Sequence, residues 1–253
     1  MATAADHYDH LLAEHYTWML GGDIDAAAAT QANLLKGLGL EVRAEDGAVA
    51  VDLGCGPGPQ TLALVHLGYG SVTAVDTSAS LLQELDEHAR HSGVTHAVRP
   101  STRTSAASCP DPHPRLGRDD RLHGRHSAPP SDPRRRGAAD HRRCRGAAAG
   151  RSFVVTYRDL TDARHGTDRF IPVRHTADRI LTCFLDYVDE STVTVYDLLH
   201  TRHDGAWQLK TSSYPKLRLP HQWLADQCHA ADLVVRHVET NERGLQLLHA
   251  VKR

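Results

Sequence analysis

The chain has 253 residues, 40% hydrophobic and 24% charged, which suits one large α/β domain or two small ones and excludes wholesale disorder. No apolar run reaches the ~18–20 residues that cross a bilayer. Met1–His10 has acids and histidines where a signal peptide has basic and then apolar residues, and five cysteines are too few for a secreted disulfide framework. A reducing, cytoplasmic location without a membrane partner is expected. The net charge of −2 hides an asymmetry: residues 99–151 hold thirteen arginines, no lysine and five aspartates, a local charge of +8. That stretch also holds seven of the twelve prolines and no Val, Ile, Met, Phe, Tyr or Trp. It has too little apolar surface to offset an ordering cost of about 1–2 kcal/mol per residue.

In chain order, Ala5–Leu40 reads as helical. Tyr8, Leu11, Leu12, Tyr16 and Met19 recur at spacings of three and four beside Trp18, and Gly21-Gly22 interrupt the pattern before Ala26–Leu38 resumes it. Either this is a helical pair packed on a sheet, or it is a lid whose Tyr8, Tyr16 or Trp18 touches a ligand. Ala48–Leu53 is a nearly continuous apolar run, expected as a parallel strand buried on both faces. Gly54-Cys-Gly-Pro-Gly58 follows, and Pro59–Leu67 reads as a helix with its proline in the first turn. A second apolar run, Val72–Val75, ends at Asp76. Ser80-Leu-Leu-Gln83 then has capping-box spacing and opens a helix with Leu81, Leu82, Leu85 and Ala89 on one side.

Strand, glycine loop, helix, strand, acid, helix is the first half of a Rossmann-like α/β sheet with helices on both faces. Glycine at 54, 56 and 58 lets the backbone approach a ligand with no Cβ in the way. Asp76, at the carboxyl edge of the sheet, can accept both hydroxyls of a ribose, each charge-assisted bond contributing roughly 1.5–3 kcal/mol. NAD, FAD or another adenosine-bearing cofactor suits that layout.

The loop is G-x-G-x-G rather than the G-x-G-x-x-G of dinucleotide sites. Val51-Asp-Leu-Gly-Cys-Gly-Pro-Gly58 closely resembles the first motif of class I S-adenosylmethionine-dependent methyltransferases, and Val75-Asp76-Thr-Ser resembles their second. An acid just before the loop suits a cofactor with a cationic sulfonium and an ammonium group. The resemblance implies that Gly54, Cys55, Gly56, Gly58 and Thr77 bind the cofactor, with Asp52 near its methionine end and Asp76 on its ribose.

Beyond the basic stretch, Phe153–Tyr157 reads as a buried strand preceded by a glycine turn at Gly150, as in the family's fifth strand. Arg158-Asp159-Leu160 forms a polar loop at its carboxyl end, either lining an acceptor pocket or pairing Arg158 with Asp159. Arg179–Val188, Thr192–Leu199 and Trp207–Ser212 read as a β-ribbon, with an Asp204-Gly205 turn before its last strand. In many small-molecule methyltransferases such an addition covers the acceptor site. A helix over His221–Ala230 and a hairpin of Leu233–Val238 with Leu245–Val251 match the family's last elements. One domain is expected over 1–253: an N-terminal cap (1–44), a cofactor-binding half (45–98), the anomalous segment (99–151) and the C-terminal strands with their ribbon (152–253).

Residues 99–151 stand where the family has its third and fourth strands, and three readings fit. One is a basic insertion that binds nucleic acid. Another is a metal site built from Cys109 and His113, His123 and His126, and His141 and Cys144, whose cysteines lie further apart than zinc sites favour. The third is GC-rich coding sequence read out of frame. Leu122–Pro130 can be written in codons that, read one base later, encode a Gly-Asp-Thr turn. Arg115–Arg121 treated likewise gives an apolar run, together resembling the family's fourth strand and the loop after it.

The resulting expectation is methyl transfer from S-adenosylmethionine to a small-molecule acceptor, impaired in this chain to the extent that the middle is disrupted. The alternatives are a non-catalytic nucleic-acid binder and an NAD-dependent oxidoreductase. No base is singled out; His165, His175, His200 and His203 are candidates by type among nineteen histidines. No Asp/Asn-Pro-Pro-Tyr motif of nucleobase amine methylation is present, which argues against nucleic-acid substrates.

Overall fold

The computed structural model describes residues 7–102, 151–241 and 244–253. They fall into two compact units, one of residues 7–102 with 158–220 and one of residues 151–157 with 221–253. The metal-ligand spacings, the Gly150 turn and almost all of the basic stretch lie outside the described residues.

The first unit opens with a continuous helical segment: a π-helical turn over Tyr8–Leu12, a 3-10 turn over Ala13–His15 and an α-helical turn over Tyr16–Met19. Gly21 and Gly22 end it with φ of +121° and +87°, values that favour glycine. Helix α1 (Ile24–Gly37) follows, its first turn capped by Asp23, whose carboxylate accepts from the Ala26 N–H at 2.9 Å.

Strand β1 (Val49–Leu53), helix α2 (Pro59–His66), strand β2 (Ser71–Val75), helix α3 (Ala79–His91) and strand β3 (Val98–Ser101) make a parallel sheet of order β1-β2-β3. The βαβ reading is therefore correct in its elements, with three corrections. β1 is not buried on both faces: Val49, Val51 and Leu53 are 59%, 45% and 62% exposed. It lies at the edge of this sheet, and its alternation turns those three side chains to a face that no described residue covers. The Ser80–Gln83 capping box does not form either. The helix starts at Ala79 with Ser78 as its N-cap, because Asp76 Oδ1 accepts the Ser78 N–H at 2.9 Å and turns the chain earlier. The Ser78 hydroxyl meets that of Ser80 instead, at 2.9 Å. Finally, a third strand is present. It runs through Arg99 and Pro100 in parallel register with Thr73 and Ala74, and an edge strand tolerates the proline's missing N–H. The core beside this sheet gathers Ile24, Ala28, Cys55, Leu62, Ala74, Leu82, Leu85, Ala89 and Val98.

Strands β5 (Phe170–His175), β6 (Arg179–Tyr187), β7 (Thr192–His203) and β8 (Ala206–Leu217) form an antiparallel sheet in chain order. The expected ribbon is present, extended by β5, whose Pro172 and bulge before Arg174 blur its alternation. The tight turn between β7 and β8 sits on Asp204 and Gly205, both at positive φ. The N-terminal helical segment lies on this sheet: Leu11 and Leu12 pack with Leu181 and Leu199, flanked by Tyr8, Tyr16, Trp18 and Met19.

In the second unit β4 (Ser152–Arg158), β10 (Leu245–Lys252) and β9 (Leu233–Thr240) form a sheet of order β4-β10-β9, with β9 and β10 antiparallel. Helix α4 (His221–Ala230) buries Leu224 and Cys228 against Leu233, Leu248 and Ala250. Phe153 and Val155, expected fully buried, are half-buried at the margin of this core. No helix among the described residues is long and apolar enough to cross a membrane.

Candidate cofactor and acceptor site

The turn from β1 to α2 is held by its own backbone. Gly54, Gly56 and Gly58 have φ of +77°, +54° and +100°. The Gly54 and Cys55 N–H groups donate to the Val75 carbonyl, and the Gly58 N–H to that of Cys55. Asp76 completes the frame: Oδ2 accepts from the Gly56 N–H at 2.8 Å and Oδ1 from the Ser78 N–H at 2.9 Å. Each oxygen keeps a further lone pair for a ligand hydroxyl. A Cβ on Gly54 would meet nothing within 4 Å, so open ground lies beside that glycine, whereas a Cβ on Gly56 would touch the Tyr16 ring at 3.4 Å.

The other expected cofactor residues separate into two kinds. Thr77 is exposed next to Asp76. Cys55 turns its side chain into the core, 4% exposed, where burial pushes its thiol pKa up, so it offers a ligand only backbone. Asp52 is buried below the loop, and its Oδ2 accepts from the Thr61 hydroxyl at 2.7 Å, tying β1 to α2. Burial pushes its carboxyl up to about 6, against the pull of the Thr61 bond, with the Asp76 charge adding to the rise.

That shift gives a pH test. The folded pKa of about 6 lies above the ordinary carboxylate value, so the folded form holds a proton that the unfolded chain has released. The stability Asp52 contributes is then fully present below about pH 4 and is lost as pH rises through about 6, a swing of about 3 kcal/mol. Asp52→Asn keeps an oxygen for Thr61 and removes the charge. It is expected to melt several degrees above the unsubstituted protein at neutral pH and no higher near pH 4; a pH-independent difference in melting temperature would contradict this.

Of the three N-terminal aromatics, Tyr16 meets the glycine loop. Trp18 instead lies against arginines of the ribbon, with Arg179 and Arg174 at 5.4 and 5.7 Å from its ring. Thr17 anchors the segment to α3 by donating to the Glu84 carboxylate. The segment is therefore both packed on a sheet and placed over the loop.

Sequence reasoning missed a polar cluster under this segment, on the inner face of the ribbon. His7 and Asp197, 0% and 2% exposed, meet at 2.8 Å, and the Cys183 thiol donates to the other Asp197 oxygen at 2.7 Å. The Tyr214 ring lies 4.6 Å from that of His7, and Tyr8 lies 5.8 Å from Tyr16. Burial pushes the three phenols and the Cys183 thiol up, and Lys216 down. The alternating apolar residues of β7 hint at its inward face, but nothing local marks a partner 190 positions away. His165, His175 and His203 are exposed. Asp159 caps its own turn through the Thr161 N–H at 2.9 Å.

Known structures share this fold. A crystal structure of an S-adenosylmethionine-dependent methyltransferase from Clostridium acetobutylicum is 12% identical with a TM-score of 0.63, covering 95% of this chain and 97% of that one. Streptomyces venezuelae DesVI is 16% identical with a TM-score of 0.58 over the whole of both chains. The sugar N-methyltransferase KedS8 from a Streptoalloteichus species is 14% identical with a TM-score of 0.59, covering 95% of this chain and 92% of that one. The fold is that of the class I methyltransferases. Residues 50–112 match the family model described as a methyltransferase domain. No curated protein matches the sequence.

Proposed function

We propose that this chain transfers a methyl group from S-adenosylmethionine to a small-molecule acceptor. The observation that carries the reading is the pairing of the glycine turn with Asp76, whose two oxygens order the loop and keep lone pairs, with open ground at Gly54. When bound, the cofactor supplies an electrophilic methyl on a sulfonium. Asp76 would hold its ribose, Thr77 would stand next to it, and the backbone at Gly54 and Gly56 would lie along it. The buried carboxylate of Asp52 would lend negative charge toward its ammonium group. Catalysis of an in-line displacement rests on holding the acceptor against the methyl group. The N-terminal segment and the inner face of the ribbon supply that enclosure, and sugar N-methyltransferase KedS8 supports a small acceptor by likeness of fold.

The proposed residues make half a pocket, and the uncovered side of β1 goes with its incompleteness. Calorimetric titration is therefore expected to give a dissociation constant weaker than micromolar for S-adenosylmethionine. A micromolar value would refute the impairment. S-adenosylhomocysteine is expected to raise the melting temperature and NAD to leave it unchanged; the reverse would favour an oxidoreductase. The free thiols of Cys55 and Cys183 suit a reducing, cytoplasmic setting.

A further inference from the structure

We propose that His7 and Asp197 form the proton-accepting pair of the acceptor site, with His7 Nδ1 taking the proton that a small primary or secondary amine sheds before methylation. The inference rests on the methyltransferase reading and names a base that neither the motifs nor the fold supply. Asp197 Oδ2 meets His7 Nε2 at 2.8 Å, so the carboxylate accepts and Nε2 carries the hydrogen. In the neutral ring the other nitrogen is then a bare lone pair. His7 Nδ1 is buried and has no hydrogen-bond partner among the described residues. An unmatched buried acceptor is costly to leave unpaired, so it marks a place built for a visiting donor.

The surroundings fit that visitor. Tyr8 stands edge-on to the His7 ring at 5.8 Å, and beyond it Tyr16 lies on Gly56 of the loop. A neutral imidazole beside a carboxylate leaves the pocket with negative charge, which favours a cationic ammonium over an anionic product. The groups acting on the pair are Cys183 from β6, Tyr214 and Lys216 from β8, Tyr8 from its own segment, and Arg158. Burial and Arg158 both lower the pKa of Lys216. His200 also has an unpartnered buried Nδ1, but it occupies the opposite face of β7 from Asp197 and no carboxylate orients it.

In the step itself an amine that enters as ammonium gives its proton to Nδ1, which leaves an imidazolium–carboxylate pair. The freed lone pair then forms the N–CH3 bond as the C–S bond breaks, the electrons of that bond pass to sulfur, which becomes a neutral thioether, and the product leaves as the methylated ammonium before His7 gives up its proton. Lone pair and base can be tested separately on the full chain. With [15N]histidine labelling and His7→Gln to identify the signal, the neutral ring of His7 is expected as the Nε2–H tautomer; an Nδ1–H tautomer overturns the proposal. Methyl transfer to D-glucosamine and ethanolamine is then followed at saturating S-adenosylmethionine. His7→Gln and Asp197→Asn are expected to lower kcat by about a hundredfold or more with the cofactor KM unchanged. They should also abolish an acid limb of the pH–rate profile that follows the His7 titration seen by NMR. A variant that keeps both rate and profile overturns the proposal, provided its melting temperature shows it folded. Cofactor binding without transfer to either amine overturns the amine assignment, whereas absence of cofactor binding rejects the methyltransferase reading itself.

Discussion

Gly58→Ala is expected to lower the melting temperature by roughly 5–15 °C. Two costs add. The residue is the N-cap of α2 at φ +100°, ψ +17°, where a side chain costs about 1–2 kcal/mol. A Cβ there would also lie 2.2 Å from Leu85 Cδ1, and Leu85 is 0% exposed in the core with Leu62 and Leu82. Overpacking of that kind costs about 1–3 kcal/mol, because a buried leucine yields only by displacing its neighbours. Gly54→Ala is the control: it has φ +77° and nothing within 4 Å of the added methyl, so it bears the backbone cost alone. Scanning calorimetry of the two variants separates the terms. Equal melting temperatures would show that Leu85 moves aside freely and that the helix–loop contact is not tight.

Asp76→Ala is expected to weaken S-adenosylhomocysteine binding by roughly tenfold to a hundredfold or more, equivalent to about 1–3 kcal/mol of lost ribose bonds. The structure adds a second contribution, since the same carboxylate orders Gly56 and Ser78 through their N–H groups. Removal loosens the loop as well as the ligand contact. Asp76→Asn retains one acceptor oxygen and is expected to fall between the two. The measurement is a calorimetric or equilibrium-dialysis titration of all three proteins. Unchanged affinity in Asp76→Ala would remove this residue from the site and leave it a purely structural role.

Much of the cofactor half was legible because its signals are local. Gly54, Gly56 and Gly58 occupy conformations that other residues adopt at a cost, and they stand between an apolar run and a helix opened by Pro59. Asp76 follows a run whose β-branched residues suit a strand. β3 was not legible, because Val98-Arg-Pro-Ser101 carries neither an alternating pattern nor a strand-forming composition; pairing to β2 alone makes it a strand. β5 was hidden for a similar reason, its proline and bulge breaking the period of two. The capping box at Ser80 had the right spacing, but Asp76 captured the Ser78 N–H and the helix began earlier.

Sequence alone thus determined the βαβ unit, its glycine loop and acid, the ribbon and the final helix and hairpin, since backbone conformation and hydrophobic period are properties of neighbouring residues. Tertiary structure decided which side chains share a site. Tyr16 and not Trp18 meets Gly56, the Cys55 side chain goes to the core, and β1 leaves three apolar side chains uncovered. His7 and Asp197 are the clearest case. They stand 190 positions apart and become a pair only when the N-terminal segment buries Leu11 and Leu12 on the ribbon and excludes water from the hydrogen bond beside them.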